Sequence, residues 1–344
     1  MNVNLTHYSK SMVRVKMLFK GVKDASGQEP FIWEHNGCQF IYDSSCRDYD
    51  WLVVYDEMPR NTGSVKNETE PLACPQERTI LVTGEPPSIK LYPTCYTKQF
   101  GYVLTTHTPE QLPHRNHMYG EGCLFWCANY PLEECFAMPD YEKTEGLSIV
   151  CSAKQQTHTL HRSRYNLVKY LSENLPQMDW YGYGVRDLKK KSDVLSTYRY
   201  HIGIENYNAP YHWTDKISDP ILGLCLTFYH GDPRLEEVFP AESFIRIPID
   251  DPAEACRIIR EAMENGEYEK RLPAIREARR RLIERNNFFS RVAALIAEKN
   301  EQPVAPMPEK PVQLKGRHRL RRNFFNLLAE GWMLLRAKLG FIKI

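Results

Sequence analysis

From Val13 to Val22 apolar and basic residues alternate, the period of a half-buried strand, and a Gly/Asp/Ser turn region leads on to a second apolar piece at Phe31-Ile32-Trp33. Asp50-Trp51-Leu52-Val53-Val54-Tyr55 is a stronger strand, since its β-branched and aromatic run is bounded by polar residues and closed by Pro59. Residues 60–76 are polar and loop-like. Thr79-Ile80-Leu81-Val82-Thr83 is a buried-strand pattern that runs straight into Gly84-Glu85-Pro86-Pro87, placing a carboxylate at a strand's carboxyl end, and Phe100 to His107 repeats the arrangement. Strand, connector, strand predicts a doubly wound α/β domain.

Residues 109–143 are irregular and rich in His, Tyr, Pro and Cys, and the acceptor side of the molecule and the domain connection are expected there. A second α/β domain then opens with a strand at Leu147-Ser148-Ile149-Val150-Cys151-Ser152. A helix follows over Arg164–Leu175, with Leu167, Val168 and Leu171 on one face, and Asp179 to Gly184 reads as strand into glycine loop. Residues 252–299, dense in Ala, Glu and Arg, predict helix. Four prolines between Glu301 and Pro311 mark a linker. The expected organisation is 1–143, 144–300, and a tail over 301–344.

The stretch with most chemistry runs from Tyr198 to Pro233. The alternation from Tyr198 to Ile204 is a buried strand, and Glu205-Asn206 sit at its carboxyl end, where open α/β sheets bind ligands. Thr214 is placed to cap a helix, so that backbone N–H groups, the Asp215 carboxylate and the Lys216 ammonium converge on one small volume, one suited to a sugar diphosphate. Pro220 would break a helix begun at Thr214. The pattern therefore predicts that Asp219 caps a helix starting at Pro220 and that residues 214–218 form a separate turn.

Length and composition narrow the class. With 344 residues, 42% hydrophobic and 26% charged, the chain has room for two domains with separate cores. The amino-terminal end is polar, without the apolar core of a signal peptide, and no run of about 18 apolar residues occurs, so the expectation is a cytoplasmic protein without a membrane span. Ten cysteines scattered over such a chain read as reduced thiols; Cys123, Cys127 and Cys135 alone cluster, without a His at zinc-ligand spacing.

The net charge of +2 hides an asymmetry. From Lys310 onward nine basic residues face Glu330 as the only acid, a tail at +8 on a body at −6. Leu320, Phe324, Leu327, Trp332, Leu335 and Leu339 recur there at near-helical spacing. An amphipathic basic helix of this kind suits an anionic membrane surface, and residues 312–344 are expected to hold the protein at the inner face of the cytoplasmic membrane; docking on the body is the alternative. No nucleic-acid-binding module is recognisable, and no nucleic-acid partner is expected.

Several ordered blocks carry a resemblance: Glu205-Asn206, Thr214-Asp215-Lys216-Ile217, Tyr229-His230-Gly231-Asp232-Pro233 and Glu242-Ser243-Phe244-Ile245. Together they resemble the carboxyl-terminal half of the α-1,3-fucosyltransferases of glycosyltransferase family 10. The resemblance covers most of residues 79–250 and is strongest after 198. It implies a GT-B-like fold, two doubly wound Rossmann-like domains facing a cleft, and an inverting transfer of fucose from GDP-fucose to a glycan hydroxyl.

The resemblance also implies roles. Thr83-Gly84-Glu85 matches the family's Thr-Gly-Glu block, which makes Glu85 the catalytic base for the acceptor hydroxyl. Of Arg162 and Arg164, the spacing to the helix favours Arg164 as the family's phosphate-binding arginine, with Lys216 beside it on the same diphosphate. Glu205, Asn206, His212, Asp215 and Gly184 complete the expected donor site, with Tyr211 or Trp213 available to stack on base or sugar. Fixed cations stand in for a metal ion, so neither metal nor cofactor is expected. One departure matters: the family has Glu where this chain has Asp215, a side chain shorter by about 1.5 Å. Another nucleotide sugar on the same fold, or a non-catalytic glycan or nucleotide binder, are the competing readings.

Overall fold

The computed structural model describes residues 12–23, 31–120, 132–137, 139–155 and 159–342. The chain divides into two compact units, one formed by Met1–Tyr119 with Val292–Ile344 and the other by Gly120–Arg291.

In the first unit the strands are β1 (Val13–Phe19), β2 (Ile32–His35), β3 (Cys38–Ile41), β4 (Trp51–Tyr55), β5 (Thr69–Pro71), β6 (Thr79–Val82), β7 (Tyr102–Thr105) and β8 (His117–Tyr119), with a short helix α1 (Thr94–Thr97) before β7. Seven of them form one sheet in the order β2-β3-β1-β4-β6-β7-β8, parallel throughout except for the β2–β3 hairpin at its edge. Leu18, Leu52, Val54, Leu81 and Val103 pack one face of it against Tyr96 and Phe100. The alternation read through Val22 stops at Phe19, and β1 is central, not half-exposed. Lys16 is wholly buried there, its ammonium held by Glu70 Oε1 (2.9 Å) and Ser64 Oγ (2.8 Å), the pairing that lets a charge sit inside.

The second unit contains α2 (Leu132–Ala137), β9 (Glu145–Val150), α3 (His161–Asn174), β10 (Met178–Tyr181), α4 (Lys191–Leu195), β11 (Tyr198–Ile204), α5 (Asp215–Leu222), β12 (Leu226–His230), β13 (Phe244–Arg246), α6 (Pro252–Glu264) and α7 (Glu267–Glu284). Its sheet is wholly parallel, in the order β10-β9-β11-β12-β13. Strand periodicity assigns the two faces: Tyr200, Ile202 and Ile204 join the core built with Leu167, Val168 and Leu171 of α3 and Ile259 of α6, while Gly203 lies under α5. A second core joins Ile217 and Ile221 of α5 to Ala278 and Leu282 of α7.

One helix expectation holds and another is corrected. Residues 252–299 are helical, in three pieces: Gly266, at φ +63°, ends α6, and Asn287 caps a separate helix α8 (Phe288–Lys299) by accepting from Ser290 N (2.9 Å). Pro220 does not start a helix, since α5 begins at Asp215, capped by Thr214, and carries Pro220 inside it. Pro220 has no N–H to offer the Lys216 carbonyl, and that carbonyl lies over Gly203 of β11, where the absence of a side chain leaves room for it. Asp219, expected as a cap, is fully buried and takes a lysine instead.

The tail is likewise more than one helix. β14 (Gln313–Lys315) pairs antiparallel with β5, putting Leu314 into the first unit's core, and α9 (Arg317–Leu320) and α10 (Phe324–Lys338) follow. Glu330 of α10, almost fully buried, accepts from Arg317 Nε (2.9 Å) and Arg321 Nε (2.6 Å). Leu91 packs with Ala337 and Met333 of α10 and with Ile342.

Candidate functional site

In the second unit β9 comes first in the chain but lies between β10 and β11, so the connections diverge at its carboxyl end. Such a switch point is where parallel sheets open a crevice for ligands. Cys151-Ser152 leave β9 there and Glu205-Asn206 leave β11, and Leu160 N donates to Asn206 O (3.1 Å), tying the approach to α3 to the β11 loop. Arg164, in the first turn of α3, is buried and donates through one terminal nitrogen to Asn206 Oδ1, while its Nε has no partner. Burial pushes the Cys151 thiol up, and Arg164 and Lys216 both pull the other way. Arg162 points to solvent from the same helix turn.

The turn after β11 is built around Glu205. Its carboxylate, almost completely buried, accepts from Thr214 N (2.8 Å) and Thr214 Oγ1 (2.7 Å). Having given its proton to Glu205, the Thr214 hydroxyl accepts from Lys216 N (3.3 Å) and Lys216 Nζ (3.2 Å), so one side chain caps α5 and steers the lysine. Burial raises the Glu205 carboxyl above its usual range against the pull of Lys216 and Thr214. Glu205 thus braces the turn that carries Lys216, and Asn206 braces Arg164.

Asp215 stands between two ammonium groups, Lys216 Nζ on Oδ1 (3.0 Å) and Lys191 Nζ on Oδ2 (2.9 Å). Burial alone would raise its carboxyl, but Lys191 and then Lys216 outweigh it and hold the group well below the ordinary carboxylate range. Lys191 also donates to Asp219 Oδ2 (3.0 Å) and Asp215 O (3.1 Å), so all three of its protons have acceptors. Lys216 Nζ has two acceptors at hydrogen-bond distance, Thr214 Oγ1 and Asp215 Oδ1, and one proton left over. Lys191 was not singled out in the sequence. Its local context, the last of three lysines and the first residue of α4, carries no sign of it; the signal is the Asp215/Asp219 pair, one helical turn apart and in need of a cation.

The other expected residues fall into different surroundings. His212 is buried, with Tyr207 edge-on at 5.4 Å. Trp213 is no stacking platform: it is 2% exposed, packed at 5.4 Å against Phe239. Tyr211 is half-buried in a left-handed conformation (φ +63°), with the Arg234 guanidinium 4.8 Å from its ring centre. Gly184, at φ +80°, is exposed in the turn after β10.

In the first unit Thr83-Gly84-Glu85 leaves the carboxyl end of β6, and the Glu85 side chain is exposed. Its backbone carbonyl faces His107 Nε2 at 2.8 Å, which fixes the proton on that nitrogen. His107 has no exposed surface, its Nδ1 is unpartnered, and burial holds the imidazole down to about 4. Thr83 and Thr105 are joined by their hydroxyls (2.7 Å), and Thr105 Oγ1 accepts from His107 N (3.0 Å). His107 therefore positions the Glu85 loop, a role its place after β7 did not reveal. Among the described residues no group of His, Cys, Asp and Glu is arranged to hold a metal ion, and no helix is long and apolar enough to cross a membrane; Cys123 and Cys127 lie outside the described residues.

No family model matches the chain, and no curated protein matches its sequence. Solved structures do. A crystal structure of an α1,3-fucosyltransferase matches over 77% of this chain and 82% of its own, at 15% identity and TM-score 0.46. One with GDP-fucose matches over 89% and 96%, at 14% identity and TM-score 0.45. A sucrose-phosphate synthase from Thermosynechococcus elongatus matches over 85% and 98%, at 8% identity and TM-score 0.42. At these identities and scores they fix neither donor nor acceptor for this chain.

Proposed function

We propose that the protein is a GT-B-like, inverting glycosyltransferase that moves fucose from GDP-fucose to a hydroxyl of a glycan acceptor. The observation that carries the reading is the pair of cations at the switch point of the second unit, Arg164 with an unpartnered Nε and Lys216 with a proton to spare, both acting on the Cys151 thiol. Two buried or half-buried cations with unused donors suit a diphosphate. As the acceptor oxygen bonds to the anomeric carbon, the bond from that carbon to the diphosphate breaks. The acceptor proton passes to Glu85, and the charge left on the diphosphate is taken up by Arg164 and Lys216. No step calls for a metal ion. Fucose rests on the block resemblance around Thr214-Asp215-Lys216 and on the Thr83-Gly84-Glu85 block.

The test is turnover of GDP-fucose by the full chain and by Glu85→Gln, beside thermal shifts with a panel of nucleotide sugars. The reading expects a shift with GDP-fucose, and a turnover loss of about 10²-fold or more in the variant with donor binding kept. A larger shift with another nucleotide sugar replaces the donor; a shift without turnover makes the protein a binder; equal turnover in Glu85→Gln removes the base.

The tail supplies the proposed membrane contact. α10 seats Glu330, Met333 and Ala337 inward, and on the far side Phe324, Leu328, Trp332, Leu335 and Leu339 form an exposed apolar stripe, Trp332 at 62% exposure. Arg319, Arg322, Arg336 and Lys338 are exposed around it, and the only acid of the helix is the buried, paired Glu330. That combination fits an anionic bilayer, with about 1 kcal/mol from each basic residue at the surface. Because Leu314 belongs to the first unit's core, the assay is flotation on phosphatidylglycerol vesicles of the full chain against Leu328→Glu/Trp332→Glu, not of a truncated one. Flotation lost in the variant supports the contact. Equal flotation, or a wild-type chain that stays down and self-associates through the stripe, overturns it.

A further inference from the structure

From the geometry around α5 we infer that Lys191 is a positioning residue for the diphosphate. Gripping Asp215 and Asp219 from α4, it fixes Asp215, whose other oxygen fixes Lys216, so Asp215 serves the phosphates through Lys216 and does not read the sugar. The inference rests on the transferase reading above and narrows the part of Asp215 in its donor site.

Asp215 and Asp219 lie one turn apart on α5, so both carboxylates project from the same face, and the Lys191 ammonium sits between them at 2.9 and 3.0 Å. With Asp215 O as its third acceptor at 3.1 Å, Lys191 has no proton for a ligand. It is a strut. Asp215 holds Lys191 with Oδ2 and Lys216 with Oδ1, so each of its oxygens already carries an ammonium. A sugar hydroxyl would have to share an oxygen with an ammonium that already holds it. Lys216 meets the opposite condition: Asp215 Oδ1 at 3.0 Å and Thr214 Oγ1 at 3.2 Å orient it and leave one N–H available.

The shorter side chain then has a reason. Asp215 is the first residue of α5 and Lys216 the next, so a carboxylate one bond from Cβ reaches back to its neighbour's ammonium and outward to Lys191 at the same time. The chain of contacts runs Asp219, Lys191, Asp215, Lys216, Thr214, Glu205, and Glu205 ends it within the β11 turn. Of the three carboxylates only Asp219 has no exposed side-chain surface, and it accepts from Lys191. Removing Lys191 alone would take a cation from a buried charge, so the informative variant is Lys191→Met/Asp219→Asn, which removes both charges together.

The experiment is titration calorimetry with GDP and with GDP-fucose on the wild-type full chain, on Lys191→Met/Asp219→Asn and on Asp215→Asn. Positioning through Lys216 predicts that both variants lose about tenfold or more in affinity for GDP itself, with the ratio of GDP-fucose to GDP affinity unchanged. Unchanged GDP binding in the double variant overturns the inference, as does an Asp215→Asn variant that binds GDP normally and loses only the advantage of GDP-fucose. A second readout does not need donor binding: the 15Nζ resonance of Lys216, protected by its two hydrogen bonds in the wild type, should broaden or lose protection in the double variant, and an unchanged resonance refutes the link. If the wild-type chain binds neither GDP nor any nucleotide sugar while the resonance responds as expected, the transferase reading fails and the Lys191–Asp215–Lys216 arrangement stands.

Discussion

A methyl carbon added at Gly203 would lie 2.2 Å from the Lys216 carbonyl oxygen and 3.1 Å from Thr227 Cγ2. Carbon and carbonyl oxygen sit comfortably at about 3.3 Å or more, so in Gly203→Ala α5 must lift from β11 by about 1 Å at the turn that carries Asp215 and Lys216. Overpacking of this kind costs about 1–3 kcal/mol. For a unit of this size that is a fall in melting temperature of roughly 2 to 12 °C. Function should suffer more than stability, because a displacement of about 1 Å in a positioning group can cost about 10²-fold. Gly146→Ala, in the neighbouring strand β9, is the control: its added carbon meets only Met263 Cε at 3.8 Å, and its effect should stay within about 0.5 kcal/mol. Differential scanning fluorimetry and GDP affinity on both variants decide the matter. If Gly203→Ala melts and binds like Gly146→Ala, the contact between the Lys216 carbonyl and β11 does not set the height of the helix.

Other outcomes follow from the same contacts. Glu205→Ala takes the acceptor from the Thr214 N–H and hydroxyl and should destabilise the second unit by about 1–3 kcal/mol in urea titration; an unchanged midpoint would deny Glu205 its bracing role. Acid should weaken both units through neutral buried histidines, His107 held at about 4 and His201 at about 3 chiefly by burial. Their folded values lie below the unfolded value of about 6.5, so the stabilisation is complete above about 6.5 and is lost as pH falls through that window, by about 1.4 kcal/mol per unit for each histidine. His107→Gln should remove one such slope between pH 6.5 and 4.5, and an unaltered slope would count against it. If Arg164 and Lys216 carry the diphosphate charge as proposed, EDTA should leave turnover unaffected, and a loss restored by Mn or Mg would overturn that assignment.

What the sequence disclosed depended on how local the cause was. Trp51–Tyr55, Thr79–Val82 and Tyr198–Ile204 are continuous apolar or alternating runs, and each forms the strand expected of it. β5 and β14 are three residues each, with no pattern of their own; they exist because Gln313 meets Pro71 and Lys315 meets Thr69 across most of the chain. The buried place of Lys16 was not legible because its partner, Glu70, lies far away in sequence. Thr214 could be read as a cap because capping is decided within three residues, whereas the fate of Asp215 was set by Lys191 from another helix. Pro220 misled for a related reason: a proline is tolerated inside α5 because the carbonyl it cannot serve rests against a glycine on a different element.

The pairing of β14 with β5 also bears on how the protein is made. The first unit is written in two pieces separated by the whole of the second, and Leu314, a member of its core, leaves the ribosome only after the second unit has been made. Residues 120–291 can therefore complete their sheet while the larger part of the first unit still waits for its last strand. Until then the edge of β5 and the core beneath Leu314 are uncovered, which leaves the nascent chain open to proteolysis and strand exchange while the second unit is being made. A stop codon before Gln313 would thus be felt in the opening unit, far from where the message was cut.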